Sequence, residues 1–505
     1  MFGELLLVLL VVPGGAAVLG MLIPGRYANA HRALSLVASF MTLGVSVYVF
    51  AMYDFHEGGL QFDLRYPWIE NVGIFKENGI SLHLAIDGIA APLVLLNGIV
   101  AFAGTLISIK IAHRTKDFFI LFNALIAGVF GVYVAQDLFF WFFFYELAVL
   151  PMYMLIIVWG STNKEYGAMK LMMVLVGGSV LVFIGIFAVF AEAGAGTFDM
   201  PVLQEIEFSK GFATTFFPFF VIGCGILAGL FPFHTWSPDG HVAAPTAVSM
   251  LHAGVLMKLG AFGIIRLGIQ LLPEGTDLWM PVILVLGAIA AIYGAMSALH
   301  QKDLKFVIGY SSVSHMGFVM MGLGTMNTIG VNGAVLQMFS HGVMTALFFA
   351  MVGALYDQAH TRDITAFGGI IRKMPIFVVL FGIAGLASLG LPGLSGFVAE
   401  FHIFVGTVPV FPLFAAVGIL AAAITATYIL RLLGRMALGP FNEKWEGLHD
   451  VTRWELLAGL TLLIPIVAMG VWPDPFVDRI ASSVLELPGV EQVGSAFANL
   501  PVVGG

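Results

Sequence analysis

Fourteen stretches of this chain are apolar enough and long enough to cross a bilayer, at roughly 5–23, 31–53, 84–109, 117–134, 136–159, 168–191, 213–233, 243–270, 281–299, 305–325, 331–355, 376–405, 409–437 and 455–472. A spanning helix needs about 20 predominantly apolar residues. Hydrocarbon offers no partner for a free N–H or C=O, so each such run must satisfy its backbone internally, as a helix. The runs predict an all-α polytopic membrane protein with about fourteen transmembrane helices. The first is not a cleaved signal peptide, because Glu4 and no basic residue precedes its apolar run.

Composition excludes several other classes. Hydrophobic residues make up 59% and charged ones 10%, against about 25% charged in a soluble domain. A net charge of −8 argues against nucleic acid as a partner. The single cysteine, Cys224, rules out an internal disulfide and a cysteine metal site. The bilayer is the expected surrounding.

Basic residues orient the spans, because cytoplasmic loops carry the excess of lysine and arginine. Of the 22, sixteen fall in one set of alternate loops, including Lys110, Arg114, Lys116, Arg362, Arg372 and Lys373, and five in the other, Arg65, Lys76, Lys210, Arg266 and Arg479. Lys258 lies inside a span. This bias predicts both termini outside, in a bacterial cytoplasmic membrane. The 54–83 loop contains YPWIE and GISLHLAID, whose alternation predicts a short outside hairpin. The polar 439–453 loop is expected inside, against a partner subunit. The tail after Trp472 is too charged to span and is expected to lie along the surface.

Two spans are interrupted. The seventh breaks at FPFHTWSPDGH (231–241), and the twelfth at SLGLPGLSG (388–396), where Pro392 removes a donor and glycines loosen the backbone. Breaks five spans apart fall in opposite orientations, the mark of an inverted repeat with its working site near the midplane. The expected organisation is 1–110 for three N-terminal helices, 117–270 for the first repeat (helices 4–8), 281–437 for the inverted second repeat (helices 9–13), and 455–505 for the last helix and tail.

Ionisable residues within the spans are the site candidates, since an unpaired charge there costs at least about 2.5 kcal/mol. They are Glu146 in span 5, His252 and Lys258 in span 8, His315 in span 10, His341 in span 11 and Glu400 in span 12. A single helical histidine is more often a packing residue with a satisfied N–H, so the three histidines rank below Glu146, Lys258 and Glu400. Six residues separate His252 from Lys258, about 600° of rotation; they share a face only if the helix bulges. Ser311 lies one turn before His315, and Gln337 and Thr345 flank His341 at i−4 and i+4. No nucleotide-binding glycine motif or cysteine cluster is present. His234 and His241 lie in the 7–8 connection rather than across two helices, so the pattern does not argue for haem. The spacing fits protons moving along a hydrated interior axis of carboxylate, amine and imidazole.

FYELAVLPMY (144–153), PFHTWSPDGHVAAPTAVSMLHAGVLMKLGAFGIIR (232–266), GYSSVSHMGF (309–318), AVLQMFSHG (334–342), HTRDI (360–364) and GLPGLSGFVAEF (390–401) carry a resemblance. Together they resemble the antiporter-like membrane subunits of respiratory complex I, and within them the M-subunit (subunit 4) type, to which Glu400 points. The resemblance implies fourteen helices with two inverted five-helix repeats, and proton translocation by Glu146, Lys258 and Glu400, with His315 and His341 on a connecting axis. It also implies that NADH, flavin, iron–sulfur clusters and quinone are handled by partner subunits, with no cofactor in this chain. The expected partners are homologous membrane subunits on either side and peripheral redox subunits. One departure stands out. The family's seventh-helix lysine, partner to the glutamate of helix 5, falls here near Leu227, and 211–233 holds no charged residue or histidine. Lys258 is then the nearest candidate cation for Glu146. Two other readings stay open at this point: a structural spacer with impaired pumping, and a subunit of an Mrp-type cation/proton antiporter.

Overall fold

The computed structural model describes residues 3–76 and 79–492. Residues 493–505 of the expected tail lie outside the described residues. Thirteen helices are long and apolar enough to span, from Glu4–Leu22 to Arg453–Val471. The pair Pro375–Ser388 and Ser395–Thr407 forms the remaining crossing, so the described residues make fourteen. Asp137 marks the boundary between spans 4 and 5 by capping Leu138–Trp159, its side chain accepting from the N–H groups of Phe139 and Phe140. Loops fall on two faces. On one, Lys110 meets Glu455 at 2.5 Å and Lys373 meets Glu446 at 2.5 Å.

On the opposite face, β1 (Gln61–Ile69) pairs antiparallel with β2 (Ile80–Ile86), the expected hairpin. The third span accordingly begins at Ala90, after the strand has taken the residues from 80 to 86. A terminal helix, Asp474–Val484, lies beside the hairpin. Its Ser483 hydroxyl accepts from the N–H of Gly88 at 2.7 Å, and Arg479 donates to the carbonyl of Phe50 at 2.9 Å.

Burial locates the core. Span 8 (Thr246–Ile269) and span 11 (Thr328–Ala359) are buried along their whole apolar windows, and span 3 (Ala90–Ser108) and span 10 (Leu304–Gly324) almost so. Spans 2 (Ala28–Met52) and 13 (Pro412–Met436) leave most of their apolar surface open to lipid.

The inversion shows in matched details. Asp137 forms an isolated antiparallel bridge to Asp199 on one face, and Asp303 does the same to Asp363 on the other. Asp137 caps span 5 and Asp303 caps span 10; Asp199 caps the turn ahead of span 7 and Asp363 the turn ahead of span 12. Each partner has its counterpart five spans later, on the opposite side of the membrane. The breaks correspond as well. Span 7 runs Lys210–Ala228, stops at Gly229 (φ 76°), and resumes as Trp236–Ala243. Span 12 stops near Gly390 (φ 73°) and resumes at Ser395. A left-handed residue at each stop favours glycine. Each break frees carbonyls that must find donors in the hydrocarbon. The Trp236 indole donates to Ile226 at 3.0 Å, and His315 Nε2 lies 3.1 Å from the Ser388 carbonyl oxygen.

Candidate functional site

Span 8 is the centre of the site because its backbone departs from the α-helix twice. His252–Leu256 is a π turn, in which the Met257 N–H reaches the His252 carbonyl five residues back. A second π turn covers Ile264–Ile269. The first turn supplies the bulge that the spacing of His252 and Lys258 requires. Both side chains are fully buried, and they lie close enough to interact electrostatically. The Lys258 ammonium donates to the Ala253 carbonyl, again five residues back, and lies 2.7 Å from His341 Nδ1.

From His341 the polar contacts run through the second repeat. Its ring stacks on His315 with centroids 5.2 Å apart and planes 14° apart. His315 Nδ1 is 2.7 Å from the Ser311 carbonyl oxygen, and its Nε2 is 3.6 Å from Glu400 Oε1. The same Nε2 faces the Ser388 carbonyl at 3.1 Å, with the Glu400 carboxyl just beyond hydrogen-bond distance. Gln337, one turn before His341, lies close to the Glu400 carboxyl. Gly390, at the break of span 12, leaves room for that carboxyl: a Cβ there would lie 2.8 Å from Glu400 Oε2. Lys258, His341, His315 and Glu400 thus form one line across spans 8, 11, 10 and 12, all at most 4% exposed.

Two branches reach the face that carries Lys110. In the first, the His252 ring is 4.1 Å from that of His241. The His241 carbonyl accepts from Ser249 Oγ at 3.0 Å, and Lys305 Nζ is 3.5 Å from the same hydroxyl and 2.6 Å from the Ala244 carbonyl oxygen. Lys305 lines a cavity of about 400 Å³ that also contacts Lys110 and Asp357. In the second, Tyr428 of span 13 donates to Ser311 Oγ at 2.8 Å, and that hydroxyl is 3.3 Å from His315 Nδ1.

Glu146 stands apart. It is half-buried on span 5 beside Ser179 of span 6, whose hydroxyl donates to the Val176 carbonyl at 3.1 Å, and its Oε1 has no partner. Among the described residues it enters no ion pair, and Leu227 is fully buried where a lysine was expected. Lys258, the candidate cation for Glu146, makes its own hydrogen-bond contacts with Ala253 and His341.

Sequence reasoning missed Lys305, His241 and Tyr428. Lys305 looked like a loop charge because it follows the capping Asp303 by two residues. His241 looked like part of a turn, but the broken span folds Trp236–Ala243 back into helix. Arg266 was counted among the loop charges. It is instead buried in a bidentate pair with Asp87, both contacts 2.7 Å; its position only eight residues after Lys258, within the same apolar run, was the available signal.

The geometry agrees with comparisons to known proteins. A family described as NADH:quinone oxidoreductase/Mrp antiporter, TM, matches residues 135–425. The NAD(P)H-quinone oxidoreductase chain 4 1 of Synechococcus elongatus is 36% identical over 490 residues, 95% of this chain and 90% of that protein. The chain 4 of Gloeobacter violaceus is 34% identical over 509 residues, 98% of this chain and 95% of its own. Among solved structures, respiratory complex I from Thermus thermophilus with bound NADH contains a chain that superposes with a TM-score of 0.86 at 25% identity, over 96% of this chain and 99% of that one. A chain of the Mrp complex from a Dietzia species shares the fold, with a TM-score of 0.83 at 16% identity, over 96% and 97%. The chain belongs to the NADH:quinone oxidoreductase/Mrp antiporter membrane family, as an antiporter-like complex I subunit of the chain 4 type.

Proposed function

We propose that this subunit moves protons along the line from Lys258 through His341 and His315 to Glu400, driven by electron transfer in partner subunits. The observation that carries the proposal is the 2.7 Å contact of Lys258 with His341, which joins the two repeats. A proton leaving the ammonium has an imidazole nitrogen within hydrogen-bond reach, and the stacked His315 faces both Ser311 and Glu400. Lys305 and His241 form the entry branch from the face that carries Lys110. The electron carriers, NADH, flavin, iron–sulfur clusters and quinone, belong to partner subunits, with homologous membrane subunits packed on either side. This chain carries no redox centre of its own, and the complex sits in a bacterial cytoplasmic membrane.

The deciding measurement is the ratio of protons moved to electrons transferred, in vesicles containing the whole complex. Lys258→Met lowers that ratio if the line conducts and leaves it unchanged if the subunit is a spacer. The unpartnered Glu146 oxygen and the buried Leu227 favour the spacer reading for the first repeat alone. Isolated chain, free of partners, neither oxidises NADH nor reduces quinone on the proposed reading.

A further inference from the structure

The ends of spans 9 and 13 enclose a cup on the face that carries Lys110. Spans 9 (Pro273–His300) and 13 pack together, and the loop at Ile364–Ala366 closes the top. The cup holds about 170 Å³. Exposed His300, Lys302, Arg431 and Arg435 line it. Among the described residues, Lys302, Arg431 and Arg435 form no ion pair within 4.0 Å. The neighbouring carboxylate, Asp363, feels Lys302 and Arg435, while its Oδ1 accepts from the N–H and hydroxyl of Thr365, both at 2.8 Å. The lining holds three cations and no carboxylate, and with Asp363 alone nearby the cup carries an excess of positive charge.

Its walls are apolar, formed by Leu299, Ile364 and Leu432. Along the same two helices, Ile289 and Met296 of span 9 expose 38% and 44% of their surface, and Leu420, Ala423 and Thr427 of span 13 are exposed. A free anion would use the cations and leave the apolar walls and the exposed stripes unexplained. A molecule with an anionic head and hydrocarbon tails uses all three, since basic pockets between helices on this side of a membrane suit anionic headgroups.

We propose that the cup binds the headgroup of an anionic phospholipid, its acyl chains lying against the exposed faces of spans 9 and 13. Tyr428 also lines the cup, and its hydroxyl reaches Ser311 and through it His315. The bound headgroup is then one side chain away from the Lys258–Glu400 line.

The test uses the whole purified complex in nanodiscs doped with phosphatidylglycerol or phosphatidylcholine, each carrying a photoactivatable acyl chain, with labelled peptides mapped by mass spectrometry. Phosphatidylglycerol is expected to label peptides of spans 9 and 13 at least about fivefold more than phosphatidylcholine does, the order of one basic residue's attraction. Arg431→Gln with Arg435→Gln brings the two lipids level, whereas Arg431→Lys with Arg435→Lys retains most of the difference. Equal labelling by the two lipids in the wild type overturns the proposal. So does undiminished phosphatidylglycerol labelling in the glutamine variant, and so does loss of labelling in excess inorganic phosphate, which would mark a soluble-anion site. If the glutamine variant fails to assemble, the wild-type lipid ratio and the phosphate competition decide alone.

Discussion

Lys258 of the first repeat is held by His341 of the second, with Nζ 2.7 Å from Nδ1. A buried ammonium in hydrocarbon needs such a partner, because an uncompensated charge costs at least about 2.5 kcal/mol. Here the compensation comes from one imidazole nitrogen and one carbonyl, both neutral acceptors, so the amine can give up its proton without stranding a carboxylate. A lysine locked to a carboxylate would release its proton less readily. The two repeats therefore meet at a pair suited to transfer.

Lys258→Met is expected to lower the protons moved per electron in vesicles by the share this subunit carries, leaving the share of the homologous membrane subunits. His341→Ala should act in the same direction. The double variant should be no worse than either single one, because both remove one shared step. Additive losses would show two separate routes.

Glu146→Gln separates pump from spacer in the first repeat. The substitution keeps the shape of the side chain and removes its capacity to carry charge. A collapse of the proton-to-electron ratio with intact assembly shows that Glu146 changes charge during turnover. Leu227→Lys should then be tolerated or strengthen coupling. An unchanged ratio in Glu146→Gln assigns the first repeat a scaffold role.

Gly390→Ala tests the room left for Glu400. The residue has φ 73°, where a non-glycine side chain costs about 1–2 kcal/mol. The added Cβ would lie 2.8 Å from Glu400 Oε2. That carboxyl is the free end of a side chain and can rotate away, so pumping should fall more than the thermal stability of the complex. Equal losses in both would place the effect in the backbone alone.

Asp137 predicts a pH dependence on the hairpin face. Burial pushes its carboxyl up to about 6, against the opposing pull of the Ser81, Phe140 and Phe139 N–H groups and of Arg65. The unfolded chain releases that proton near 3.8. Between these values the folded state holds a proton that the unfolded state has lost, so the contribution to stability falls as pH rises towards 6. Asp137→Asn keeps a capping acceptor and should flatten this part of the stability profile of the complex between pH 4 and 6. An unaltered slope would remove Asp137 as its source.

Topology is checked by single-cysteine labelling. Arg114→Cys and Arg372→Cys should react with impermeant reagent only from the cytoplasmic side, as the basic bias requires. Reaction of Arg114→Cys only from outside would reverse the whole assignment.

The sequence by itself determined the number of crossings, the hairpin, both breaks and the charges that lie deep within single apolar runs. Those features are local: run length, alternation, proline and glycine, and the cost of charge in hydrocarbon act within about 20 residues. Which buried groups touch was decided only by tertiary structure. A helical count places His252 and Lys258 on different faces; the chain has a π turn from His252 to Leu256, and Lys258 meets His341 of span 11. Glu146 carries the same residue-level signal as Glu400. Glu400 lies 3.6 Å from His315 because span 12 breaks beside it, while Glu146 enters no ion pair among the described residues. Lys305 and Arg266 look like loop charges by position, and become buried because the chain folds other helices over them. A pattern along one helix records which face is apolar; it holds no record of which helix will cover that face.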